Sequence, residues 1–169
     1  MILTIYTDQI KLAVDTETRK LAQMHIASEK AEERLEASLG EEFEDQAFFE
    51  QQCSMAVHSL LPRMMKYAME VEVTRADGST ADGDDGNNDN VKPEENPTVK
   101  YDISLNVFSR HAVMAKSLAE AAHSYVVLHI LHAWTTMTVP SMAAQYYERR
   151  EAEADRLMRM LRTKQPPRP

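Results

Sequence analysis

The sequence predicts a mainly α-helical protein, with a four-helix bundle-like domain and a small antiparallel β-hairpin. Long segments carry apolar residues at intervals of three and four, and two short runs alternate apolar with polar residues. A length of 169 residues with 43% hydrophobic content suffices for one core. We therefore expect a single helical domain at 1–165, interrupted by a flexible acidic loop at 76–97 and followed by a loose tail at 166–169.

The first two helical segments are amphipathic. The first extends from Asp8 to Leu39, with Thr7 or Asp8 as its N-cap and Gly40 as a typical helix stop. Its apolar residues, mostly at intervals of three and four, are Ile10, Ala13, Val14, Leu21, Met24, Ala31, Leu35 and Leu39. The second extends from Glu41 to about Met65 with one apolar face, and Pro62 is expected to kink or end it.

The third and fourth segments differ in how their apolar residues are distributed. The third extends from about Ser109 to Met137 and is apolar on most sides, which predicts a place in the middle of the bundle. Thr138 and Pro140 then form a start signal for the fourth helix. One inner face of that helix is marked by Ala143, Tyr146 or Tyr147, Ala154, Leu157 and Leu161. Its solvent-exposed face carries residues of opposite charge four positions apart, namely Arg149 with Glu153 and Asp155 with Arg159.

Two short stretches in which apolar and polar residues alternate predict the two strands of the hairpin. The first alternates Met69, Val71 and Val73 with polar residues, and the second does so from Val99 to Val107. We interpret the runs as an antiparallel pair joined by the acidic loop. The first run could instead continue the second helix.

The negative charge is concentrated in the acidic loop. Seven carboxylates against Lys92 alone give it −6 of the chain's net −8, so the rest of the chain is nearly neutral and no nucleic-acid surface is indicated. An EF-hand needs glycine at its sixth position and glutamate at its twelfth. Starts at Asp82, Asp84 and Asp85 all fail that pattern, so we expect a solvated connector rather than a calcium site.

Several other classes of protein and site are disfavoured. Cys53 is the only cysteine, which excludes an internal disulfide and a zinc site with two thiolates, and it favours a reducing cytosol. The N-terminus MILTIYTDQIK does not have the pattern of a signal peptide. The apolar region from Leu118 to Ala144 contains Glu120, three histidines and Pro140, so we expect no membrane span. No glycine-rich phosphate loop is present in the sequence.

The histidines are the main candidates for a metal site. His123, His129 and His132 share the third helix, but the glutamate of a HExxH motif is absent, and further ligands such as His58 or His25 would have to come from elsewhere. We expect packed or partly exposed imidazoles instead. Cys53 is expected to be buried and not a nucleophile, because His58 lies on a different helical face. We therefore assign no catalytic, cofactor-binding or metal-binding residue.

The eleven methionines can fill a core, which is the commoner role, or they can face a partner chain, and adjacent apolar pairs favour some spare apolar surface. Met64 with Met65 and Tyr146 with Tyr147 are such pairs, and neighbours on a helix point about 100° apart. Some of this surface is therefore expected to be available to another chain.

Two stretches resemble the small helical head-tail connector, or adaptor, proteins of tailed phages, particularly those of Bacteroides-type prophages. They are ILTIYTDQIK and ISLNVFSRHAVMAKSLAEAAHSYVVLHILHAWTTMTVPSMAAQYYERREAEADRLMRMLR. The resemblance implies a non-enzymatic virion protein, found in the virion or in the host cytoplasm. It also implies a homo-oligomeric ring between the portal and the tail. The segments implied to contact neighbouring subunits are the 76–97 connector and the C-terminal tail.

Two other functions stay open from the residues alone. One is a helical-bundle binding or regulatory module, such as an immunity partner, which would be a monomer or dimer. The other is a metal-dependent enzyme that uses His123, His129 and His132.

Overall fold

Residues 1–26, 46–75, 99–106 and 114–162 are described in a computed structural model of the chain. In these residues the chain forms three strands and four helices. The strands are β1 (Ile2–Tyr6), β2 (Ala68–Arg75) and β3 (Val99–Leu105), and the helices are α1 (Thr7–Ile26), α2 (Gln46–Met64), α3 (Ala115–Thr138) and α4 (Pro140–Arg162). The predicted fold class, mainly helical with a small antiparallel sheet, is confirmed.

The sheet contains one strand more than the predicted hairpin. Its order is β1-β3-β2, and both pairings are antiparallel. The β2–β3 pair is the predicted one, with Val71 opposite Ile103. On the other side of β3, Leu3 of the unpredicted strand β1 also lies opposite Ile103. β3 is therefore the central strand.

The two faces of the sheet differ in polarity, as the alternating pattern requires. The inner face supplies buried side chains to the core, namely Leu3, Ile5, Val99, Tyr101, Ile103 and Leu105. On the outer face, Thr4 Oγ1 donates a hydrogen bond to Asp102 Oδ1 at 2.6 Å, and Lys100 Nζ lies 2.6 Å from Asp102 Oδ2. Among the residues that the structure describes, the helices therefore cover only one side of the sheet.

Alternate residues of β1 bond to β3 through their backbone. The Met1 ammonium donates to the Leu105 carbonyl at 2.9 Å, and the Leu105 N–H donates to the Met1 carbonyl at 2.7 Å. Hydrogen-bonded pairs alternate with non-bonded pairs in an antiparallel ladder. Leu3 and Ile5, opposite Ile103 and Tyr101, therefore also direct their backbone groups toward β3.

The side chain of Thr7 extends the hydrogen bonding between β1 and β3 at the start of α1. Its hydroxyl donates to the Val99 carbonyl and accepts a hydrogen bond from the Val99 N–H, both at 3.0 Å. The predicted N-cap role of Thr7 is therefore wrong, because this hydroxyl bonds to β3 rather than to the first turn of its own helix. Asp8 makes a local contact there, accepting the Gln9 N–H at 2.8 Å.

α3 lies in the middle of the bundle, as its apolar pattern predicts. It contacts α1, α2, α4 and β1. Its buried residues are Leu118, Ala121, Ala122, Tyr125, Val126, Val127, Leu128, Ile130, Leu131, Trp134 and Thr135. Within the described residues, none of the helices is long and apolar enough to cross a membrane.

α3 and α4 are joined at Val139, whose N–H donates to the Thr135 carbonyl at 2.9 Å. The predicted start of the fourth helix at Pro140 is confirmed. In the predicted inner face, Tyr146, and not Tyr147, is the buried member of the adjacent pair. On the solvent-exposed side, Glu153 Oε2 lies 3.3 Å from Arg156 Nη1, so the predicted pairing of Glu153 with Arg149 is wrong. Arg159 does contact Asp155, its Nε donating to the Asp155 backbone carbonyl at 3.3 Å.

The other helices agree with the sequence patterns within the described residues. α1 buries Ile10, Val14 and Leu21. Pro62 lies in the last turn of α2, which ends two residues later. The predicted extension of the first helix to Leu39, the start of the second at Glu41 and the start of the third near Ser109 lie outside the described residues. The same is true of the acidic loop at 76–97 and the tail at 166–169.

Candidate functional site

The three histidines of α3 contact three different neighbours. His129 lies against α2 and His132 against α4, whereas His123 lines the space between α1 and α3. His58 is exposed, and its Nδ1 lies 2.7 Å from the Ser54 carbonyl of its own helix. Among the side chains that the structure describes, no group of three or more histidine, cysteine, aspartate or glutamate residues could hold a metal ion.

A polar contact inside the bundle joins α2 to α3. Ser59 Oγ lies 3.0 Å from the hydroxyl of Tyr125 and 3.2 Å from Nδ1 of His129. The same Ser59 hydroxyl donates to the Ala56 carbonyl at 2.7 Å. We call Ser59, Tyr125 and His129 the hydroxyl–imidazole cluster.

The imidazole of this cluster is neutral at pH 7. Burial, followed by the nearby Arg150 and His132, lowers the pKa of His129 from 6.5 to about 4. A neutral imidazole beside a serine can act as a general base. Here, however, the proton of Ser59 Oγ is donated to the Ala56 carbonyl, which is the shortest of its contacts. The cluster therefore ties α2 to α3.

We expect His129 to make stability depend on pH between 6.5 and 4. Its folded pKa lies below its unfolded value, so the unfolded state binds the proton first and stability falls as the pH drops through this window. Because the ring is partly exposed, the loss should be about 1 to 2 kcal/mol. Urea unfolding at both ends of the window should show a smaller loss for His129→Gln. A matched His58→Gln variant should keep the full pH dependence, and equal losses in all three proteins would contradict this assignment.

A carboxylate held by two guanidinium groups joins α2 to α4. Arg63 approaches Glu151 with both terminal nitrogens, at 2.7 and 2.9 Å, and Arg150 adds a contact of 2.9 Å. The hydrogen bond from Arg63 is the largest cause of the lowered pKa of Glu151. Arg150 also lies 4.7 Å from the ring centroid of Tyr147. Since these groups are partly exposed, the Arg63–Glu151 pair contributes about 1 kcal/mol or less.

An apolar groove lies between α1, α3 and α4, with a volume of about 640 Å³. Its apolar lining includes Leu12, Ala13, Val127, Leu128 and Leu131. Its polar lining is Gln9, Thr16, Glu17, His123, Ser124, Arg149 and Glu153. A groove of this size could hold a small ligand or a side chain of another protein. We refer to it as the α1–α3–α4 groove.

His123 is the perturbed titratable group of this groove. Burial lowers its pKa, and a hydrogen bond with the backbone of Gln9 partly opposes the shift. Its Nε2 is buried and has no hydrogen-bond partner among the described residues. Because this atom is covered, it is not presented to the groove as a ligand-binding group.

The sole cysteine is buried and inert. Burial, with a smaller effect of Glu50, raises the pKa of Cys53 from 9.0 to about 12, so almost no thiolate forms near pH 7. Tyr101 is nearby, and burial raises its pKa to about 12 as well. Neither group is ionised at neutral pH, which leaves this part of the core without a nucleophile.

The contacts that the sequence did not predict are those between helices. Ser59 and Arg63 are four apart on α2, and Tyr125 and His129 are four apart on α3, so each pair shares a helical face. That spacing could have marked both faces as polar, but not their mutual contact. Neither a protein-family model, nor a curated protein, nor a solved structure matches the chain.

Proposed function

We propose that the protein is a non-enzymatic structural protein of a phage or prophage, a head-tail connector or neck component that assembles with copies of itself. Its other partners would be virion proteins of the portal or the tail. It would act in the virion, or in the cytoplasm of the bacterial host before assembly. The resemblance carried by ILTIYTDQIK and by residues 103–162 supports this class.

The observation that carries the proposal is apolar surface left outside a filled core. Leu12 and Met65 are 70% and 77% exposed, although the chain has a buried hydrophobic core. Further large apolar residues are exposed on other elements, namely Ile2, Tyr6, Met55, Met137 and Tyr147. These side chains support the proposal where they join into one patch, because contiguous apolar surface marks contacts with other chains.

The environments of the candidate reactive groups also support a structural role. The Cys53 thiol is buried with a raised pKa, and the Ser59 hydroxyl donates to a backbone carbonyl. The histidines of α3 are directed to separate neighbours. These groups stabilise contacts between elements, which is what an assembly subunit requires.

Mass measurement in solution tests the proposal. Light scattering and native mass spectrometry should give an assembly that is a multiple of the 19.3 kDa chain, and electron microscopy should show closed rings. Portal and capsid genes beside this gene would support the phage assignment. A chain that stays at 19.3 kDa at high micromolar concentration would contradict self-assembly.

The α1–α3–α4 groove favours one alternative, a helical binding or regulatory module. Such a module would be a monomer or dimer whose apolar groove receives a partner. Leu12→Gln, in the α1 wall of the groove, should then weaken partner binding without changing the oligomeric mass, because Leu12 is 70% exposed and its replacement leaves the core intact. A change in that mass would instead assign the groove to contacts between like subunits.

A further inference from the structure

The free edge of β1 presents backbone groups that have no partner among the described residues. Because the odd-numbered residues of β1 bond to β3, the even-numbered residues Ile2, Thr4 and Tyr6 direct their N–H groups to the opposite side. Ile2 and Thr4 direct their carbonyls there as well. The carbonyl of Tyr6 precedes α1 and is available to its first turn.

This edge lacks the features that usually prevent strands from pairing between molecules. β2, the other edge strand, has a bulge between Ala68 and Glu70 and carries Glu70 and Glu72. β1 contains neither a charged residue nor a proline. Its outward side chains Ile2 and Tyr6 are 63% and 40% exposed. An uncharged, unbulged edge of this kind is a template for another strand.

A groove along the same edge leaves room for that strand. It has a volume of about 330 Å³ and lies between β1 and the first half of α3. Its charged lining residues are Lys116 and Glu120, which have opposite signs, and burial lowers the pKa of His123, so its ring is neutral at pH 7. The groove therefore has no net charge that would repel an identical copy.

We propose that a second copy of this chain occupies the edge, with the two β1 strands antiparallel about a twofold axis at Thr4. This register pairs each outward backbone group with one on the other strand, except the N–H of Ile2, which lies opposite the carbonyl of Tyr6 of the partner subunit. The two Thr4 residues exchange both backbone hydrogen bonds, and each Tyr6 N–H reaches the carbonyl of Ile2 of the partner subunit. The same register places Ile2 beside Tyr6 of the partner subunit, an aliphatic–aromatic pair that covers both exposed side chains.

We call this antiparallel contact between the two β1 strands the seam. It is independent of the proposed virion role. A twofold contact closes on itself and yields a dimer, whereas a ring needs a second and different contact. The seam can therefore exist with or without a ring. Loss of one does not imply loss of the other.

Disulfide trapping tests the register. Thr4→Cys should form a covalent dimer under mild oxidation, because residues paired across a ladder have Cα atoms about 5.5 Å apart. Tyr6→Cys alone should not, because its two copies would lie about 13 Å apart along the strands. Co-expression of Ile2→Cys with Tyr6→Cys should trap the mixed dimer. Cys53 is fully buried, so any disulfide between two chains is expected to form through the introduced cysteines.

Thr4→Pro provides a second measurement that does not use cysteine. Proline removes an outward N–H that makes no bond to β3, and the dimer dissociation constant should rise by about tenfold to a hundredfold. Thr4→Val, which also loses the hydroxyl bond to Asp102 but keeps the N–H, should dimerise as the natural chain does.

Three results would overturn the seam. One is a natural chain that is monomeric, with the edge amides protected from hydrogen exchange by another part of the same chain. Another is an assembly in which Thr4→Cys does not crosslink, which would reject the seam but not self-assembly. The third is efficient crosslinking of Tyr6→Cys alone, which would require a different register.

Discussion

Replacing Trp134 with alanine is expected to lower the free energy of unfolding by about 3 to 5 kcal/mol. The indole is 1% exposed and is among the largest fully buried side chains of the core. It lies near the end of α3, the helix that contacts the other three helices and β1. Its removal would leave a cavity that these elements cannot all close together. Urea unfolding followed by circular dichroism would measure the loss.

Trp134→Phe is the matched control for this effect. The indole Nε1 is buried and has no hydrogen-bond partner among the described residues. Phenylalanine removes this unsatisfied donor while it keeps most of the apolar volume, so the two effects should offset each other to within about 1 kcal/mol. A loss for phenylalanine as large as that for alanine would show that the indole N–H is bonded.

The second large effect is expected at the junction of β1 and α1. Thr7→Val should cost about 2 to 4 kcal/mol, because it leaves both the N–H and the carbonyl of Val99 without the hydroxyl that now pairs with them. Both residues are buried, so water cannot easily replace the lost partner. Urea unfolding would give the cost, and hydrogen exchange at the Val99 amide should accelerate in the variant.

Thr7→Ser separates the hydrogen bonds from the packing. Serine keeps the hydroxyl and loses only a methyl group, for which about 1 kcal/mol is expected. If the serine and valine variants lost the same stability, the methyl contacts and not the paired hydrogen bonds would hold this junction together.

Much of the fold follows from periodicity within single segments. The alternation in Val71 and Val73 and along β3 was enough to predict their pairing, because period two fixes which side chains share a face. The apolar residues around all sides of α3 likewise predicted its central position. These features need no knowledge of the rest of the chain.

β1 could not be predicted in the same way. Its five residues are too few for alternation to be decisive, and they lead directly into an amphipathic helix. The strand exists because β3 offers a free edge almost a hundred residues later, and because Thr7 can bond to Val99 across that distance. The strand propensity of a short segment does not reveal a pairing partner that lies far away in the sequence.

The candidate site was less predictable than the fold. Sequence spacing placed His129 and His132 on one helix, but their environments depend on Ser59 from α2 and Tyr147 from α4. The lowered pKa of His129 comes mainly from burial, which is a property of the packed bundle. Contacts between helices of this kind are set by tertiary packing, so a single sequence does not show them.

The pairing of Met1 with Leu105, 104 residues apart, has a consequence for synthesis on the ribosome. The ribosome makes β1 about a hundred residues before β3, so the partner of β1 follows only after roughly 5 to 20 s at ordinary elongation rates. During that interval the strand ILTIY, which has no charged side chain, has no native neighbour to cover it. Nascent chains crowded on one messenger would therefore be able to join through this stretch before any of them is complete, and a chaperone that binds nascent chains would act chiefly in that period.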